Sequence, residues 1–270
     1  MALSKDDIRA AAERLDNAEK TRKQIRQLSL EYPRITLEDA YAIQKAWVEM
    51  KVTQGRIVKG HKIGLTSKAM QSALNIDEPD SGILLDDMFF ADGGLVPTDR
   101  FIATRVEAEL AFVMKHRLAG PNCTLFDVLN ATDFVVPALE ILDTRVERVD
   151  PETKATRKIF DTIADNASSG GFVLGSTPTR LTDVDLRLTG CVFTRNSQVV
   201  GTGAGGAVLG SPINSLVWLA NTVGALGTTL EAGHVILPGS VTSMVPVAPG
   251  DVFTATFGGL GSVTACFASK

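Results

Sequence analysis

Two glutamates, Glu107 and Glu109, stand one residue apart in the run RVEAELAFV, which is otherwise as apolar as a buried β-strand. Alternate side chains of a strand point to the same face, so both carboxylates leave one face while the apolar residues beside them pack on the other. A buried carboxylate without a partner costs several kcal/mol and therefore pairs, becomes protonated or binds a metal ion. The pattern predicts a strand with a cationic partner on its acidic face.

A third carboxylate, Glu140, interrupts a second apolar run, FVVPALEIL. Three oxygen ligands with room for water and substrate suit Mg²⁺ or Mn²⁺, whereas Zn²⁺ more often recruits His or Cys. The residues also allow a simpler interpretation, in which Glu107 pairs with Arg105 or another basic residue at the sheet edge and Glu140 belongs to a separate ion pair. Glu107, Glu109 and Glu140 are therefore candidate metal ligands, and both interpretations stay open at this point.

The composition favours a small-molecule partner and a reducing compartment. The chain has 270 residues and a net charge of −4, with its lysines and arginines scattered, which argues against nucleic-acid binding. Cys123, Cys191 and Cys266 are far apart and lack metal-ligand spacing, which is typical of buried thiols. The start of the sequence lacks a signal-peptide pattern, and no apolar run approaches the roughly 20 residues that cross a bilayer. We expect a cytoplasmic protein with no membrane or nucleic-acid partner.

Apolar spacing predicts a helical N-terminal region. Ser4 and Thr36 each stand three residues before an aspartate, and apolar positions at helical spacing follow both pairs. After Gly55 the pattern changes to short β-type runs at 57–64, 187–194, 235–237, 251–257 and 262–267, with one helix at Pro212–Val223. Clustered strands with few intervening helices favour an α+β fold with a mixed, rolled β-sheet. We expect a mainly helical N-terminal region, 1–90, and a β-rich catalytic domain, 91–270.

A glycine-rich stretch, GTGAGG at 201–206, matches the G-x-G-x-x-G pattern of dinucleotide-binding proteins. The run before it reads as half of a hairpin that turns at 195–197, and no βαβ series surrounds it. The first acidic residue beyond it is Glu231, later than the roughly 20 residues expected of a ribose-binding carboxylate. The stretch therefore predicts a tight backbone crossing within the sheet rather than an NAD site.

Lys62 and Asp80 are candidates for proton transfer. Lys62 stands among apolar residues, and a lysine in a desolvated cleft loses basicity, which suits a proton carrier; a solvated lysine at a sheet edge is the simpler interpretation. His61 would point the opposite way on a strand and is interpreted as structural. Asp80 stands in the segment EPDSG, where aspartate is an ordinary turn residue.

Two polar segments offer groups that could bind an anion. The stretch DTIADNASSG at 161–170 carries many hydroxyls and amides into an apolar strand, and GSVT at 239–242 offers small donors after a short strand. A capped turn and a simple β-turn explain these compositions equally well.

Together these segments resemble the fumarylacetoacetate hydrolase superfamily, in particular its hydratase and decarboxylase branch, which acts on 2-oxo-alkenoates in aromatic meta-cleavage catabolism. The similarity covers nearly the whole chain and is carried by KGHKIGLTSKAM (59–70), LLDDMFF (84–90), the Glu107-x-Glu109 strand, GPNCTLFDV (120–128) and DTIADN (161–166). The stretches DPETK (150–154) and RKIFDT (157–162) are similar to hydratases acting on 2-oxo-hept-4-ene-1,7-dioate.

The resemblance implies a fumarylacetoacetate hydrolase C-terminal-like fold, with Mg²⁺ or Mn²⁺ bound by the three glutamates and a homo-oligomeric assembly. It places Lys62 and Asp80, both from the N-terminal region, at the proton-transfer site. The implied activity is addition of water to 2-oxo-hept-4-ene-1,7-dioate, or its dienol tautomer, to give 4-hydroxy-2-oxoheptanedioate. The predicted substrate-binding residues are three hydroxyl side chains and one cation: Ser168, Ser240, Thr242 and Lys158. Arg157 is an alternative partner for the distal carboxylate of this dicarboxylate.

Two departures from the family pattern leave other activities open. Ser81 replaces the usual aromatic residue after the Pro-Asp pair, and GAGGAVLG at 203–210 is more similar to the oxalocrotonate decarboxylases. The alternatives are a 2-oxopent-4-enoate hydratase, a 4-oxalocrotonate-type decarboxylase, an acyl-pyruvate hydrolase and a non-catalytic metal-dependent binding subunit.

Overall fold

The N-terminal helices begin where the sequence predicts. In the computed structural model, which describes residues 2–67, 71 and 78–269, the first helices are α1 (Lys5–Thr21), α2 (Leu28–Glu31) and α3 (Leu37–Thr53). Asp7 N donates to the Ser4 hydroxyl at 3.1 Å, and Asp39 N donates to Thr36 Oγ1 at 3.2 Å. Both aspartate side chains accept in return from the cap backbone, so the two predicted capping boxes are confirmed.

The remaining elements follow the predicted strand runs closely. The strands are β1 (Val58–Gly64), β2 (Asp80–Leu85), β3 (Phe89–Phe90), β4 (Leu95–Val96), β5 (Arg105–Met114), β6 (Thr132–Leu142), β7 (Ser169–Leu174), β8 (Gly190–Arg195), β9 (Gln198–Ala204), β10 (Val235–Leu237), β11 (Val245–Pro246), β12 (Val252–Phe257) and β13 (Gly261–Phe267). The further helices are α4 (Leu125–Ala131), α5 (Ile159–Ala164) and α6 (Pro212–Ala225). Within the described ranges, no helix combines the length and the apolar character needed to cross a membrane.

Two sheets divide the strands. The larger sheet has the order β2-β1-β10-β5-β6-β7-β3, with β11 also paired to β5, and it is mixed because β1/β10 and β3/β7 are parallel while the other pairs are antiparallel. The smaller sheet has the order β4-β13-β12-β8-β9. The predicted α+β class with a mixed, rolled sheet is confirmed.

The larger sheet separates two hydrophobic cores. Val106, Ala108 and Leu110 of β5 face a core shared with the smaller sheet and with α6. On the opposite face, Ala111 belongs to a core shared with α1 and α3. The period of two along β5 therefore places Glu107 and Glu109 on the side of the sheet that carries the N-terminal helices.

Strands β1 and β2 belong to the same sheet as β5, although both precede residue 90. They bring Lys62 and Asp80 into the sheet that carries the glutamates. The division into domains at residue 90 stays a prediction. Lys68, Ala69 and Met70, which end the first segment that carries the family resemblance, lie outside the described residues.

The glycine-rich stretch lies in a hairpin. Strands β8 and β9 pair antiparallel and turn at Asn196 and Ser197, whose φ values of 51° and 65° are left-handed. A Cβ added to Gly203 would lie 1.8 Å from Val241 O, and one added to Gly205 would lie 1.8 Å from the carbonyl oxygen of another loop. The glycines therefore permit the close backbone crossing that the sequence predicted.

Candidate active site

The three predicted carboxylates converge where β5 and β6 pair. Glu107 lies directly opposite Glu140 in the antiparallel register, and Glu109 lies two residues further along the same face of β5. One carboxylate oxygen from each side chain lies within 4.8 Å of the other two. Glu109 and Glu140 are fully buried. Their convergence is as predicted, while their role as metal ligands stays a prediction.

Burial leaves these carboxylates with unused acceptor capacity. Gly239 N donates to Glu109 Oε2 at 2.9 Å, but Glu109 Oε1 and both oxygens of Glu140 accept no hydrogen bond of normal geometry. Burial, followed by the charge of Glu140, raises the pKa of Glu107 to about 7 and that of Glu109 well above its usual range. Three buried carboxyl groups so close together disfavour one another's ionised forms, and a hard divalent cation would stabilise those forms, so the arrangement fits such an ion.

The simpler interpretation of the acidic pair is not what the structure shows. Among the described residues, no Arg105 nitrogen lies within the 4.0 Å of an ion pair from a Glu107 oxygen. Glu140 does have a cationic neighbour, because Lys62 Nζ lies 3.2 Å from Glu140 Oε1. The three glutamates and the lysine thus form one group, here named the open cluster: Glu107, Glu109, Glu140 and Lys62.

Lys62 lies on β1, which is separated from β5 by β10 in the larger sheet. Its Nζ donates to Ala167 O at 3.1 Å, and the residue is only 3% exposed. Burial alone would lower the pKa of Lys62, but the charges of Glu140, Asp80, Glu107 and Glu109 outweigh burial and raise this pKa. The predicted loss of basicity is therefore wrong in the structure as it stands, because that prediction considered desolvation without the neighbouring carboxylates.

Asp80 is the first residue of β2, where it pairs with Gly64, rather than a turn residue. A Cβ added to Gly64 would lie 2.1 Å from Asp80 Oδ1 and 3.4 Å from Lys62 Nζ. The carboxyl and ammonium groups therefore converge above Gly64. Burial raises the pKa of Asp80, against the opposing charge of Lys62, and both Asp80 oxygens lack a hydrogen bond of normal geometry.

A strained backbone segment presents the carbonyl that Lys62 binds. Asn166, Ala167 and Ser168 have left-handed φ values of 51°, 49° and 59°. Each such residue costs of order 1–3 kcal/mol and persists only where its surroundings hold it. Asn166 supplies part of that restraint, because its side chain accepts from Ile83 N at 2.7 Å and donates to Ile83 O at 2.9 Å.

A second buried ionic group, here named the closed cluster, holds the same segment: Thr144, Arg145 and Asp165. Asp165 Oδ2 accepts from Thr144 Oγ1 and from Arg145 N, each at 3.0 Å, and the Arg145 guanidinium pairs with the Asp165 carboxylate. Arg145 also donates to Asp165 O at 2.7 Å and to Ser169 O at 3.0 Å. Much of the polar stretch 161–170 is therefore structural, as the simpler interpretation held.

The predicted hydroxyl residues surround a cavity of about 560 Å³ that Lys62 and Asp80 also line. Ser240 Oγ is within 2.8 Å of Thr242 O, so it stabilises its own loop. Thr242 Oγ1 is buried without a hydrogen-bond partner, and Ser168 Oγ accepts from an arginine at 3.0 Å. All three line the cavity, and their role as substrate ligands stays a prediction.

Lys158 lies elsewhere. Lys158 is exposed and does not line the cavity, whereas the neighbouring Arg157 does line it. Arg105 and Arg148 line the cavity as well, although neither was singled out from the sequence as a candidate for substrate binding. The alternation along β5 could have identified Arg105, which shares a face with Glu107, but no local signal pointed to Arg148.

Sequence and structure comparisons match nearly the whole chain to known proteins. Residues 63–268 match the family model described as "Fumarylacetoacetate (FAA) hydrolase C-terminal". The chain is 54% identical over 256 residues to 2-oxo-hept-4-ene-1,7-dioate hydratase of Escherichia coli, covering 95% of this chain and 96% of that protein. It is 40% identical over 265 residues to 4-oxalocrotonate decarboxylase of Pseudomonas sp. (strain CF600), covering 98% of each. The solved structure of 4-oxalocrotonate decarboxylase from Pseudomonas putida G7, complexed with magnesium and adipate, matches with a TM-score of 0.92 at 39% identity over 98% of both chains.

Proposed function

The chain belongs to the fumarylacetoacetate hydrolase family, and we propose that it is a hydratase of 2-oxo-hept-4-ene-1,7-dioate in aromatic catabolism. The product is 4-hydroxy-2-oxoheptanedioate. The observation that carries the proposal is the open cluster beside Asp80: three carboxylates converge with one ammonium group, and Glu107, Lys62 and Asp80 line one cavity. The 54% identity to the hydratase of that substrate supports the choice of reaction within the family.

A divalent cation, Mg²⁺ or Mn²⁺, is proposed as the cofactor of Glu107, Glu109 and Glu140. Support comes from the buried carboxylate oxygens that accept no hydrogen bond, since oxygen-rich sites of this charge suit hard cations. The magnesium complex of the similar decarboxylase points the same way. When bound, such an ion supplies Lewis-acid polarisation of the 2-oxo group.

Lys62 and Asp80 are proposed to move the protons of the reaction. Removal of a proton from C3 and delivery of one to C5 shifts the double bond next to the 2-oxo group, where water can add at C4 and a proton return to C3. Asp80 accepts and returns protons as a carboxyl group, and the Lys62 ammonium lies beside it above Gly64. The Lys62 contact with Ala167 O fixes the direction in which Nζ points.

The decarboxylase is the second candidate, because the chain is 40% identical to one such enzyme and matches the solved structure of another with a TM-score of 0.92. A 2-oxo diacid polarised in the same way can lose CO₂ instead of gaining water. A non-catalytic binding subunit would hold the acid and the metal ion without turnover.

One experiment separates these functions. The purified protein is incubated with MgCl₂ and 2-oxo-hept-4-ene-1,7-dioate, and the products are identified by NMR. We expect the 4-hydroxy acid. Release of CO₂ would favour the decarboxylase, and recovery of unchanged substrate, with binding seen by calorimetry, would favour the binding subunit. A parallel sample with EDTA tests whether turnover needs the divalent ion.

The oligomeric state and the cellular location stay predictions. A homo-oligomer is expected, and light scattering of the purified protein measures it directly. The expected location is the cytoplasm, where the proposed small-molecule dicarboxylate would be metabolised.

A further inference from the structure

Three arginines line the cavity that Glu107 and Lys62 of the open cluster also line: Arg105, Arg148 and Arg157. In the described part of the chain, none of the three has a carboxylate oxygen within the 4.0 Å of an ion pair, whereas the buried Arg145 is paired with Asp165. Three guanidinium groups at one cavity therefore carry positive charge that no carboxylate of the described residues pairs with.

Arg157 is partly committed to the protein. Its Nη1 donates to Thr144 Oγ1 and to Ser168 Oγ, each at 3.0 Å. Arg148 is not committed in this way, because its Nη2 is buried and has no hydrogen-bond partner in the described part of the chain. Burial, together with the charges of Arg157 and Arg105, lowers the pKa of Arg148 to about 10. An anion between these groups would relieve both the repulsion and the unsatisfied donor.

The position of Arg105 on β5 relates the arginines to the carboxylates. Arg105 is two residues before Glu107 on β5, so both side chains leave the same face of the strand. Two residues of a strand span about 7 Å, which is the scale of an extended seven-carbon diacid. The backbone N of Arg157 donates to Arg148 O at 2.9 Å, so these two residues are neighbours across a hairpin at the same cavity.

The lining of the cavity also includes apolar side chains between the carboxylates and the arginines. Leu142 pairs with Arg105 across β5 and β6 and lies two residues beyond Glu140. Leu142 and Met244 both line the cavity. The cavity thus offers a cation-binding end at the glutamates, an apolar part, and a guanidinium end.

We propose that Arg148, together with Arg105, binds the carboxylate at the far end of the substrate and thereby selects dicarboxylates over 2-oxo monocarboxylates. This inference rests on the proposed function for its substrate. Guanidinium groups suit the task because they bind a carboxylate through two parallel hydrogen bonds. Arg148 and Arg105 are specificity residues here, with no part in proton transfer.

The test compares two acids of equal chain length, 2-oxo-hept-4-ene-1,7-dioate and 2-oxo-hept-4-enoate, in the wild type and in Arg148→Met. Hydrogen bonds to charged groups contribute enough for a loss of roughly 10- to 100-fold in kcat/KM for the diacid. We expect this loss to appear mainly in KM, while kcat/KM for the monoacid changes by less than about threefold. Arg148→Lys keeps the charge and should recover part of the activity on the diacid.

The matched control is Arg34→Met, which removes an exposed arginine outside the cavity and should leave both values unchanged. An equal loss for both acids in Arg148→Met, or no loss for the diacid, overturns the inference. If Arg148→Met does not fold, as judged by thermal unfolding, Arg105→Met answers the same question with the same expected pattern.

A binding measurement keeps this inference separate from the proposed reaction. Calorimetry with the Mg²⁺-loaded protein compares adipate, which has two carboxylates, with hexanoate, which has one. Arg148→Met should weaken adipate binding by roughly 10-fold or more and leave hexanoate binding unchanged. If the wild type turns over neither substrate, the proposed reaction fails, while a selective loss of adipate binding still supports the role of Arg148 and equal binding in both proteins contradicts it.

Discussion

The open cluster and the closed cluster are both buried groups of charged residues, and they differ in how completely they are paired. In the closed cluster, both carboxylate oxygens of Asp165 accept hydrogen bonds, and the Arg145 guanidinium also donates to the backbone of residues 165 and 169. In the open cluster, Glu109 and Glu140 keep buried oxygens that accept no hydrogen bond of normal geometry from the described residues. A completed ionic network fixes the backbone, whereas an incomplete one retains binding capacity for a ligand.

The two clusters are joined by the left-handed segment Asn166–Ser168. The closed cluster holds the residues on both sides of the segment, and the open cluster uses the carbonyl of Ala167 from its middle. The closed cluster therefore acts as the rigid support for the geometry of Lys62. Changes to the two clusters should separate into losses of stability and losses of chemistry.

The largest expected effect is on turnover. Lys62→Ala removes the ammonium next to Glu140, and loss of a proton-transfer group lowers kcat by roughly 10²- to 10⁴-fold. Binding of MgCl₂, measured by calorimetry, should persist because the three glutamates remain. Lys45→Ala, an exposed lysine, is the control and should be fully active. Unchanged kinetics in Lys62→Ala would remove the proposed role in proton transfer.

The next largest effect is on the stability of the folded protein and arises from the closed cluster. Asp165→Asn leaves the buried Arg145 without its counter-charge, and breaking a buried ion pair in this way costs about 3–5 kcal/mol. Urea unfolding measures the change, with the exposed Asp133→Asn as the control. A loss below about 1 kcal/mol would mean that the closed cluster does not support the segment as described.

His61 lies on the face of β1 opposite to Lys62, and it allows a test of the pH dependence of stability. It is 2% exposed, its ring lies 5.8 Å from that of His234, and burial, followed by the charge of His234, lowers the pKa of His61 from 6.5 to about 3. The folded protein thus binds fewer protons than the unfolded chain between these pH values. The contribution of His61 to stability is complete above pH 6.5 and falls by up to about 1.4 kcal/mol per pH unit below it.

Urea unfolding at pH 7, 6 and 5 measures this pH dependence in the wild type and in His61→Asn. The substitution should make the decrease between pH 7 and pH 5 smaller by about 2 kcal/mol, because asparagine does not titrate. Identical pH dependence in the two proteins would show that His61 takes up its proton in the folded state as easily as in the unfolded chain.

The smallest effect is a change in stability whose sign differs between the two clusters. Glu109→Gln removes a buried carboxyl group that must either carry a poorly compensated charge or take up a proton, so the metal-free protein should become more stable by about 1–2 kcal/mol. Addition of MgCl₂ should raise the Tm of the wild type and have a smaller effect on this variant. Destabilisation of metal-free Glu109→Gln, comparable to that of Asp165→Asn, would show that the open cluster is a structural network like the closed one.

The elements of the fold that the sequence predicts are those set by neighbours in the chain. The Thr36 capping box lies within one helical turn, and the alternation of β5 follows from the two-residue period of any strand. The apolar run around Glu140 predicts a buried strand for the same reason. Convergence of the three glutamates could be predicted because each interrupts an apolar run, and buried carboxylates need a shared partner.

Other features depend on contacts that no local pattern contains. The pKa of Lys62 is raised rather than lowered because carboxylates from β2, β5 and β6 surround its Nζ. Arg157 lines the cavity, whereas the adjacent Lys158 is exposed and does not line it. The two side chains point in different directions at the end of the hairpin. Arg148 reaches the cavity through the same hairpin, where the backbone N of Arg157 donates to the carbonyl of Arg148.

By itself, the amino-acid sequence determined the α+β class, the helix starts, most strands and the three acidic positions, because capping, periodicity and the cost of burying charge act over a few residues. Only the tertiary structure decided which side chains share the cavity, which ionic group is complete, and what net charge Lys62 experiences. The physical reason is that electrostatic energy and hydrogen-bond satisfaction depend on the positions of all nearby groups, which strand pairing brings together from distant parts of the chain.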